Sequence, residues 1–595
     1  MMSRPFILAV ALAQAVGCEG VIGGNGSTGG SGGSGAGSGT GGTLSSTDGG
    51  FGTGLGRSSG PCNDVYAARR VWTLSRTEYD NSVAAVFGDT SNQAQATFPP
   101  EDRANGYVDN AQAEVVASPL MSAMETAAET IAANNATKEV AYISSTLGCT
   151  LSTNPSAASP DACATKYITA RATALFRRPI TSGETTDLYA SYMEGFQNPF
   201  TGVSAVTSAV QNVVATLLQM PQFFYRTELG SPTDTTSSPV QMTPYEVASA
   251  LSYMVTGNPP DATLLAAASA GALSTPAQVK SQYQRLVATP GGHSQAEQFI
   301  MQWLEEDQIA SGGTAAGPLT PTIAGDMLTE TESFIEEAVF NGSGTVSELL
   351  TGNYTFTNAD LATYYSLPAV SSATFTKVPL DAASGRAGLL SQGAFLVSAS
   401  QSGVPLLHRG HLIRNYLLCE TLPTFVSLGF AANFTPPQFH EPPAGTTIRQ
   451  ALTAAVQGPC LSCHQYFMDI GFGLENFDSF ARYQTKENGG AVNPSGAVYE
   501  STSVDPASGL ILDAISFTDV AFQNYAGLAS TLASDPRLDQ CFASQVVAYA
   551  AGRTAAVNEC AVQDTQAAQA GATSATVQGQ FENYVQSKYF SLRAR

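Results

Sequence analysis

Two thiols and an imidazole lie near the C-terminal third of the chain at a spacing that suits one cofactor. The motif is Cys460-Leu461-Ser462-Cys463-His464. Covalent haem attachment needs two thiols that add across the two vinyl groups of the porphyrin, and a histidine directly after the second thiol to bind the iron. A match by chance is expected about once in a thousand chains of this length and composition, so the signal is specific. We predict haem c, with Cys460 and Cys463 as thioether attachments and His464 as the proximal iron ligand.

These cysteines have three alternative uses besides haem attachment. A zinc site would need two more ligands at finger-like spacing, but no Cys or His follows His464 until Cys541. A thioredoxin-like redox pair would need a preceding strand and a βαβ setting, which the pattern lacks. A structural disulfide that involves Cys460 or Cys463 is the third alternative.

The sixth iron ligand is left open by the sequence. Met468 lies only four residues after His464, so in a helix the two side chains cannot approach opposite faces of one iron. Nearby upstream histidines are His408, His411 and His440. His440 lies in a Pro-rich loop, and we name His440 or His411 as the candidate distal ligand; a surface histidine, a rarer ligand such as Lys486, or an open position are the alternatives. Two strong ligands favour electron transfer, whereas an open site permits small-molecule or peroxide chemistry.

The residues after the motif combine aromatic and acidic side chains. Phe472, Leu474 and Phe477 are predicted to line the haem pocket and to lower the dielectric constant around the haem. Glu475 and Asp478 are three residues apart, and capping or hydrogen bonding is favoured for them over paired-carboxylate catalysis. No catalytic residue is identified.

The N-terminus has the features of an export signal that ends in a lipidated cysteine. Arg4 gives a short positive region, residues 5–13 are mainly apolar, and Ala15-Val16-Gly17 lead to Cys18. We predict a signal peptide over 1–17 and acylation of Cys18; a plain signal peptide with an incidental cysteine is the alternative. Residues 18–61 are dominated by Gly, Ser and Thr, which is typical of a disordered, flexible tether. The expected location is the cell envelope, as an outer-membrane-anchored lipoprotein that is periplasmic or surface-exposed.

Charge and hydropathy narrow the range of partners. The 595 residues carry a net charge of -22, with a sequence pI near 4.5. Because an acidic balance repels phosphate backbones, we expect no nucleic-acid partner. No apolar run after the N-terminus approaches 20 residues, so the lipid anchor is the only membrane contact expected. The haem implies a redox partner that the sequence does not identify.

Six further cysteines remain after the lipidation and haem cysteines are set aside: Cys62, Cys149, Cys163, Cys419, Cys541 and Cys560. An even number in an exported chain predicts three disulfides, for which fifteen pairings are possible. Short separation favours Cys149–Cys163 and Cys541–Cys560, and Cys62–Cys419 is what remains.

Apolar spacing and capping signals predict a mainly α body of several helical modules. Capping boxes begin helices at Ser75–Glu78 and Thr181–Glu184. Other predicted helices span 115–134, 162–176, 211–225, 243–255, 276–287, 294–304 and 326–340, with final ones at 517–533, 538–550 and 574–589. Glu330 is expected to face water with its acidic neighbours. Alternating strand patterns are scarce.

Short stretches along the whole body resemble one known family. They are Leu74–Tyr79, Phe176–Pro179, Phe223–Glu228, Tyr354–Asn358, Arg386–Leu390, Cys460–Tyr483 and Tyr549–Arg553. In these stretches and their order the chain resembles the large planctomycete- and myxobacterial-type multi-module proteins of unknown function, whose late module carries a cytochrome c motif. The resemblance again implies haem attachment at Cys460 and Cys463 and iron ligation by His464. It implies no substrate, because the activity of the family is undefined.

The chain departs from the family pattern at two points. Ile470 stands where the family often has proline, and residues 451–459 contain no histidine where the family often has one before the first haem cysteine. If that histidine is a distal ligand or haem contact elsewhere, its role is lost or moved here.

The predicted organisation is a series of modules after the tether. Helical modules span 62–135, 136–235 and 236–380, a cytochrome c-type haem module spans 381–490, and a C-terminal helical module spans 491–595. Electron transfer at the cell envelope is the favoured function. A haem-dependent oxidoreductase or polymer-active enzyme, and a surface scaffold or adhesion protein with a structural haem, are the alternatives.

Overall fold

The computed structural model describes residues 62–104, 106–108, 118–310, 318–400, 404–420, 439, 442–457, 461–501, 517–566 and 576–595. It is mainly helical, with 58% helix and 9% strand, which confirms the predicted fold class. The described helices include none long and apolar enough to cross a membrane.

The N-terminal helices share one hydrophobic core, which includes Tyr79, Ile131, Leu175 and Leu217. They are α1 (Arg76–Phe87), α2 (Gln93–Thr97), α3 (Ser118–Ser145), α4 (Ala162–Phe176), α5 (Ser182–Gln197), α6 (Ala205–Gln219) and α7 (Pro221–Phe224). Both predicted capping boxes are present, before α1 and before α5. Because each box supplies hydrogen bonds to the first turn, these two helices begin where the sequence predicts.

A second, larger core joins the central helices to the C-terminal ones. The central helices are α8 (Pro244–Thr256), α9 (Ala262–Ser269), α10 (Pro276–Val287), α11 (Pro290–Trp303), α12 (Pro321–Glu336), α13 (Val346–Thr351), α14 (Ala359–Tyr365) and α15 (Gly393–Ser398). Short 3₁₀ turns occupy Glu306–Ala310 and Leu389–Ser391, and a π turn Glu337–Asn341 follows α12. Glu330 on α12 is only 1% exposed and accepts hydrogen bonds from Thr355 and Tyr365. The prediction that Glu330 faces water is therefore wrong.

Three further helices, α16 (Pro405–Leu417), α17 (Ile448–Ala455) and α18 (Leu461–Phe472), enclose a separate small apolar cluster. The chain ends with α19 (Tyr525–Ala533), α20 (Pro536–Ala551), α21 (Cys560–Gln566), α22 (Val577–Gln586) and α23 (Lys588–Ser591). Helix α22 packs against α10, which ties the C-terminal segment to the centre of the molecule.

The described strands form two-stranded antiparallel ribbons. The pairs are β1 (Arg70–Thr73) with β2 (Tyr225–Glu228), β3 (Val240–Gln241) with β10 (Leu592–Arg593), β4 (Tyr354–Thr357) with β5 (Thr376–Pro379), β6 (Lys486–Glu487) with β7 (Gly490–Ala491), and β8 (Gly496–Ser501) with β9 (Phe517–Phe522). Glu228 on β2 lies between Arg70 at 2.8 Å and Arg593 at 2.6 Å, so one buried carboxylate joins three distant parts of the chain. Although burial alone would raise the pKa of Glu228, the two guanidinium groups lower it to about 2.

Two predicted helices contain strands in the structure. The predicted helix over 211–225 is divided: α6 ends at Gln219, and Tyr225 begins β2. The predicted helix over 517–533 begins only at Tyr525, because residues 517–522 pair with β8. In both places the strand depends on a partner that is distant in sequence, which local periodicity does not reveal.

All six body cysteines form disulfides, as predicted, and Cys149–Cys163 is paired as predicted. The other two predicted pairs, Cys541–Cys560 and Cys62–Cys419, are wrong. The structure instead joins Cys62 to Cys560 and Cys419 to Cys541.

The reason for the exchanged pairs is long-range packing. The C-terminal segment returns to the N-terminal end of the body, where Asn63 and Glu559 form a parallel bridge and the Cys560 amide donates to the Asn63 carbonyl at 2.9 Å. Cys560 therefore meets Cys62 across 498 residues of sequence, and separation along the chain is a poor guide to pairing.

Candidate functional site

The proposed proximal ligand lies at the beginning of α18. Cys460 lies outside the described residues, and so does the side chain of Cys463, although its backbone belongs to α18. In an α-helix, positions 463, 464, 467 and 471 fall on one face. That face meets α16, and it carries His464, Phe467 and Gly471.

Helices α16 and α18 cross with their backbones in direct contact. A Cβ atom at Gly471 would lie 2.8 Å from the carbonyl carbon of Leu406 and closer still to its oxygen. A Cβ atom at Gly410 would lie 2.8 Å from the Gly471 nitrogen and closer still to the Phe467 oxygen. Only glycine fits at both positions, because these distances are well below van der Waals contact. The crossing therefore fixes the rotation of α18 about its axis, and with it the direction of the His464 side chain.

The imidazole of His464 is buried, with 6% of the residue exposed. Its Nδ1 has no hydrogen-bond partner among the described residues. Leaving a buried polar atom unpaired costs about 1–3 kcal/mol, so such atoms ordinarily find a partner. The ring of Phe467 is the described aromatic neighbour, at 5.0 Å between centroids. A buried imidazole whose Nδ1 lacks a partner among the described residues fits the ligand role that the haem motif predicts for it.

The surroundings of His464 are apolar. The small cluster enclosed by α16, α17 and α18 contains Val404, Leu406, Leu407, Leu452, Val456, Tyr466, Phe467, Met468 and Phe472. An apolar shell of this kind excludes water and raises the influence of each nearby charge on a bound redox group. Met468 is packed into this cluster on the same helix as His464. Because the two residues are four positions apart on that helix, they cannot approach opposite faces of one iron.

Two of the upstream histidines lie on α16, the helix that crosses α18. His411 is 6.0 Å from the Phe467 ring, the same ring that contacts His464. Burial lowers the pKa of His411, and burial together with the charges of His411 and Arg409 lowers the pKa of His408 to about 4. Both imidazoles are therefore neutral at pH 7 and retain a lone pair that suits a metal.

The third histidine, His440, lies outside the described residues. The residue before it, Phe439, packs against the apolar cluster beside α18. Lys486, the rarer alternative, is exposed on β6. Among the residues that the structure describes, no group of three or more His, Cys, Asp or Glu could hold a metal ion.

The residues after the motif divide between two environments. Phe472 belongs to the cluster beside His464, whereas Leu474 and Phe477 belong to the large central core. Glu475 is buried, which raises its pKa, and it accepts a hydrogen bond from the Asn493 amide. Asp478 accepts bonds from the amide of residue 480 and from Arg482. Both carboxylates therefore accept hydrogen bonds, as predicted.

Sequence reasoning missed Arg409, which holds the segment after the motif in place. Its guanidinium is fully buried and donates to the carbonyls of Phe477 and Asp478, each at 2.7 Å. The available signal was that Arg409 lies three or four residues from Leu406, Leu412 and Ile413, on the apolar face of α16. A guanidinium buried on such a face needs several acceptors.

A buried ion network beside the Cys419–Cys541 disulfide was also missed. Glu420 pairs with Arg414 at 2.6 Å and with Arg537 at 2.8 Å. The Arg414 guanidinium also lies 5.2 Å from the Tyr466 ring on α18. The network joins the end of α16 to the start of α20, and thus the motif helices to the central core.

Four family models match the chain in sequence order, each described as a protein of unknown function. They are PSD3 (DUF1587) at 73–137, PSD5 (DUF1595) at 163–228, PSD4 (DUF1592) at 242–367 and PSCyt3 (DUF1588) at 386–487. Together the matches cover more than half of the chain, and His464 lies within the last of them. No curated protein and no solved structure matches the chain.

Proposed function

We propose that this chain, which belongs to a multi-module family of proteins of unknown function, binds one covalent haem c and transfers single electrons at the cell envelope. In this proposal Cys460 and Cys463 form the thioether bonds and His464 is the proximal ligand. The observation that carries it is the buried imidazole of His464, which directly follows the cysteine pair and whose Nδ1 has no partner among the described residues. The name of the family model that matches residues 386–487, PSCyt3, suggests a cytochrome-like module and supports this proposal.

Haem c supplies reversible one-electron chemistry when it is bound. The chain's own residues have three tasks around it. His464 holds the metal from a helix whose rotation is fixed by the Gly410–Gly471 crossing. Phe467 and Phe472 exclude water on the His464 side. His411, whose ring also lies beside Phe467 and whose pKa is lowered by burial, is the described residue that we propose as the second ligand.

Covalent attachment is tested by expressing the mature chain with a bacterial haem-attachment system. The wild-type polypeptide should keep its pigment after denaturation and acid extraction. The double variant Cys460→Ala/Cys463→Ala should lose it, because no thioether can form. Cys149→Ala/Cys163→Ala is the matched control, since it also removes two cysteines but only from a disulfide distant in sequence. Pigment retained without Cys460 and Cys463, or absent from the wild type, would contradict the proposal.

The ligand set is tested by absorption spectra of the oxidised and reduced protein. His411→Ala and His440→Ala are compared, and the variant that converts a six-coordinate spectrum into a five-coordinate one identifies the distal ligand. Electron transfer alone predicts a wild type that is inert to carbon monoxide and cyanide. Rapid binding of either ligand by the wild type would favour the haem-dependent oxidoreductase instead.

Membrane attachment is proposed to depend on acylation of Cys18, which lies outside the described residues. Cys18→Ala should release the protein from the membrane fraction while leaving haem attachment unchanged. A variant that remains in that fraction after a high-salt wash would show that another element anchors the chain.

A further inference from the structure

A row of buried charges connects α20 to α16, the helix that crosses α18. Glu420 lies between Arg414, at 2.6 Å, and Arg537, at 2.8 Å, and Arg537 also pairs with Asp535. The Arg414 and Glu420 side chains are 0% and 6% exposed, so water screens their charges little. A buried ion pair is often no more stabilising than apolar side chains of the same volume, so stability alone does not explain this row.

Main-chain contacts show how α16 is aligned with α18. The Leu406 carbonyl lies against Gly471, and four residues later Gly410 lies against the Phe467 carbonyl. The two helices are therefore antiparallel, and α16 passes the earlier residues of α18 as it proceeds towards its C-terminal end. The residues of α16 after Gly410 lie beside the beginning of α18, which carries the proposed proximal ligand.

Arg414 is the charge in this row that faces α18. It lies one turn after Gly410, and its guanidinium is 5.2 Å from the ring of Tyr466, two residues after His464. Burial lowers the pKa of Arg414 to about 10, which leaves the guanidinium charged at pH 7. The row therefore presents its positive end to the helix of the proposed iron ligand, and Glu420 connects this end to α20.

We propose that the charge of Arg414 raises the reduction potential of the haem, and that Glu420 counteracts it while holding the guanidinium in place. The inference rests on the proposed function, since it concerns a haem that His464 holds. When the iron accepts one electron from a redox partner, Fe(III) becomes Fe(II) and the site gains one negative charge. Arg414 attracts that charge and Glu420 repels it, and both act strongly because they are buried. Neither residue exchanges a proton in this step.

The test is a redox titration of the full mature chain with covalent haem, followed by absorption at pH 7. Arg414→Gln should lower the midpoint potential, with about a 3- to 10-fold smaller ferrous-to-ferric ratio at a fixed applied potential. A tenfold change corresponds to about 59 mV for a one-electron couple. Glu420→Gln should shift the midpoint potential in the opposite direction. Arg414→Lys keeps the charge and should stay within about twofold of the wild-type ratio, although the planar fork that faces Glu420 is lost.

Arg553→Gln is the matched control, because it also removes the arginine of a buried ion pair. Arg553 pairs with Glu559 at 2.6 Å, and their side chains are 14% and 7% exposed. This pair follows the C-terminal end of α20, whereas Arg537 is at its beginning, and this helix of 16 residues is about 24 Å long. Arg414→Gln and Arg553→Gln should both unfold at a lower urea concentration than the wild type, because each removes one partner of a buried pair. Only Arg414→Gln should change the potential.

Absence of covalent haem from the wild type would overturn this inference together with the proposed function. If haem is attached, equal potentials of the wild type and Arg414→Gln overturn the inference alone. A shift in Arg414→Lys as large as that in Arg414→Gln also overturns it, because altered packing rather than charge would then be the cause. If Arg414→Gln does not fold, Glu420→Gln decides, since a potential equal to or lower than that of the wild type contradicts the electrostatic role.

Discussion

The crossing of α16 and α18 gives a sharp test of the architecture that positions His464. The perturbation is Gly471→Ala, which adds one methyl group at the point of closest approach. Two effects of opposite sign compete. Alanine is a better helix former than glycine by about 1 kcal/mol, so the substitution stabilises a helix wherever the new methyl group has free space. Against this, the new Cβ would lie 2.8 Å from the Leu406 carbonyl carbon and closer still to its oxygen.

The magnitude of the clash decides the sign. Ordinary van der Waals contact requires about 3.5 Å, so the two helices would have to separate by about 1 Å or more. The obstructing atoms belong to main chain, which cannot rotate aside as a flexible side chain can. Overpacking of this kind costs about 1–3 kcal/mol and occasionally more. We expect the clash to exceed the gain in helix propensity, with a net loss of about 1–2 kcal/mol in the free energy of unfolding.

The assay is urea unfolding followed by circular dichroism, together with the yield of covalent haem. Gly325→Ala is the matched control, because Gly325 lies within α12 and a Cβ there would meet nothing within 4 Å. That variant should gain about 0.5–1 kcal/mol. Gly471→Ala should be less stable than wild type and should incorporate less haem, because His464 is displaced with its helix. Equal stability of Gly471→Ala and Gly325→Ala would refute the close crossing.

Two further predictions concern buried ionisation and the disulfides. Burial, with the charges of nearby carboxylates, raises the pKa of Glu306 well above its usual value, so the folded state retains a proton that the unfolded state releases. The contribution of protonated Glu306 to stability is complete below about pH 4.5 and is lost as the pH rises. Glu306→Gln should therefore be more stable than wild type at pH 8 but not at pH 4, as measured by urea unfolding at both values. The same difference in stability at both pH values would contradict this. Removing Cys62–Cys560 should cost about 6 kcal/mol by chain entropy and removing Cys149–Cys163 about 3 kcal/mol, because the separations are 498 and 14 residues. The two losses are measured by urea unfolding of Cys62→Ser/Cys560→Ser and Cys149→Ser/Cys163→Ser. If the shorter loop proved the more stabilising, chain entropy would not be the main source of the stabilisation.

Two helix starts were predicted correctly from the sequence because their signals are local. The boxes at Ser75–Glu78 and Thr181–Glu184 each lie within four residues, and the structure forms both. The haem motif is equally local, and the ligand role of His464 stays a prediction. The burial of His464 could not be predicted from its neighbours in sequence, since its helix packs against Gly410, which lies far upstream on another helix.

The errors share a different cause. Residues 225–228 and 517–522 are strands because distant segments pair with them. Glu330 has the helical position of a solvent-facing residue, yet β4 and α14 supply hydroxyl donors that allow its burial. In each case a tertiary partner overrides the local pattern, and the partner is visible only after the chain has folded.

The stretches that resemble the family are joined to one another by buried arginines. Arg177 belongs to the stretch at 176–179, and its guanidinium donates to the carbonyls of residues 223 and 225 in another such stretch. Arg386 begins the stretch at 386–390 and donates to the Ala481 carbonyl in the stretch that contains the haem motif. Because a guanidinium presents five donors in a fixed plane, one arginine can hold irregular main chain that no helix or sheet would satisfy. The paired stretches therefore depend on each other physically: replacing Arg386 with Lys would keep the charge but leave main-chain acceptors behind the motif unsatisfied, and would loosen the segment that follows α18.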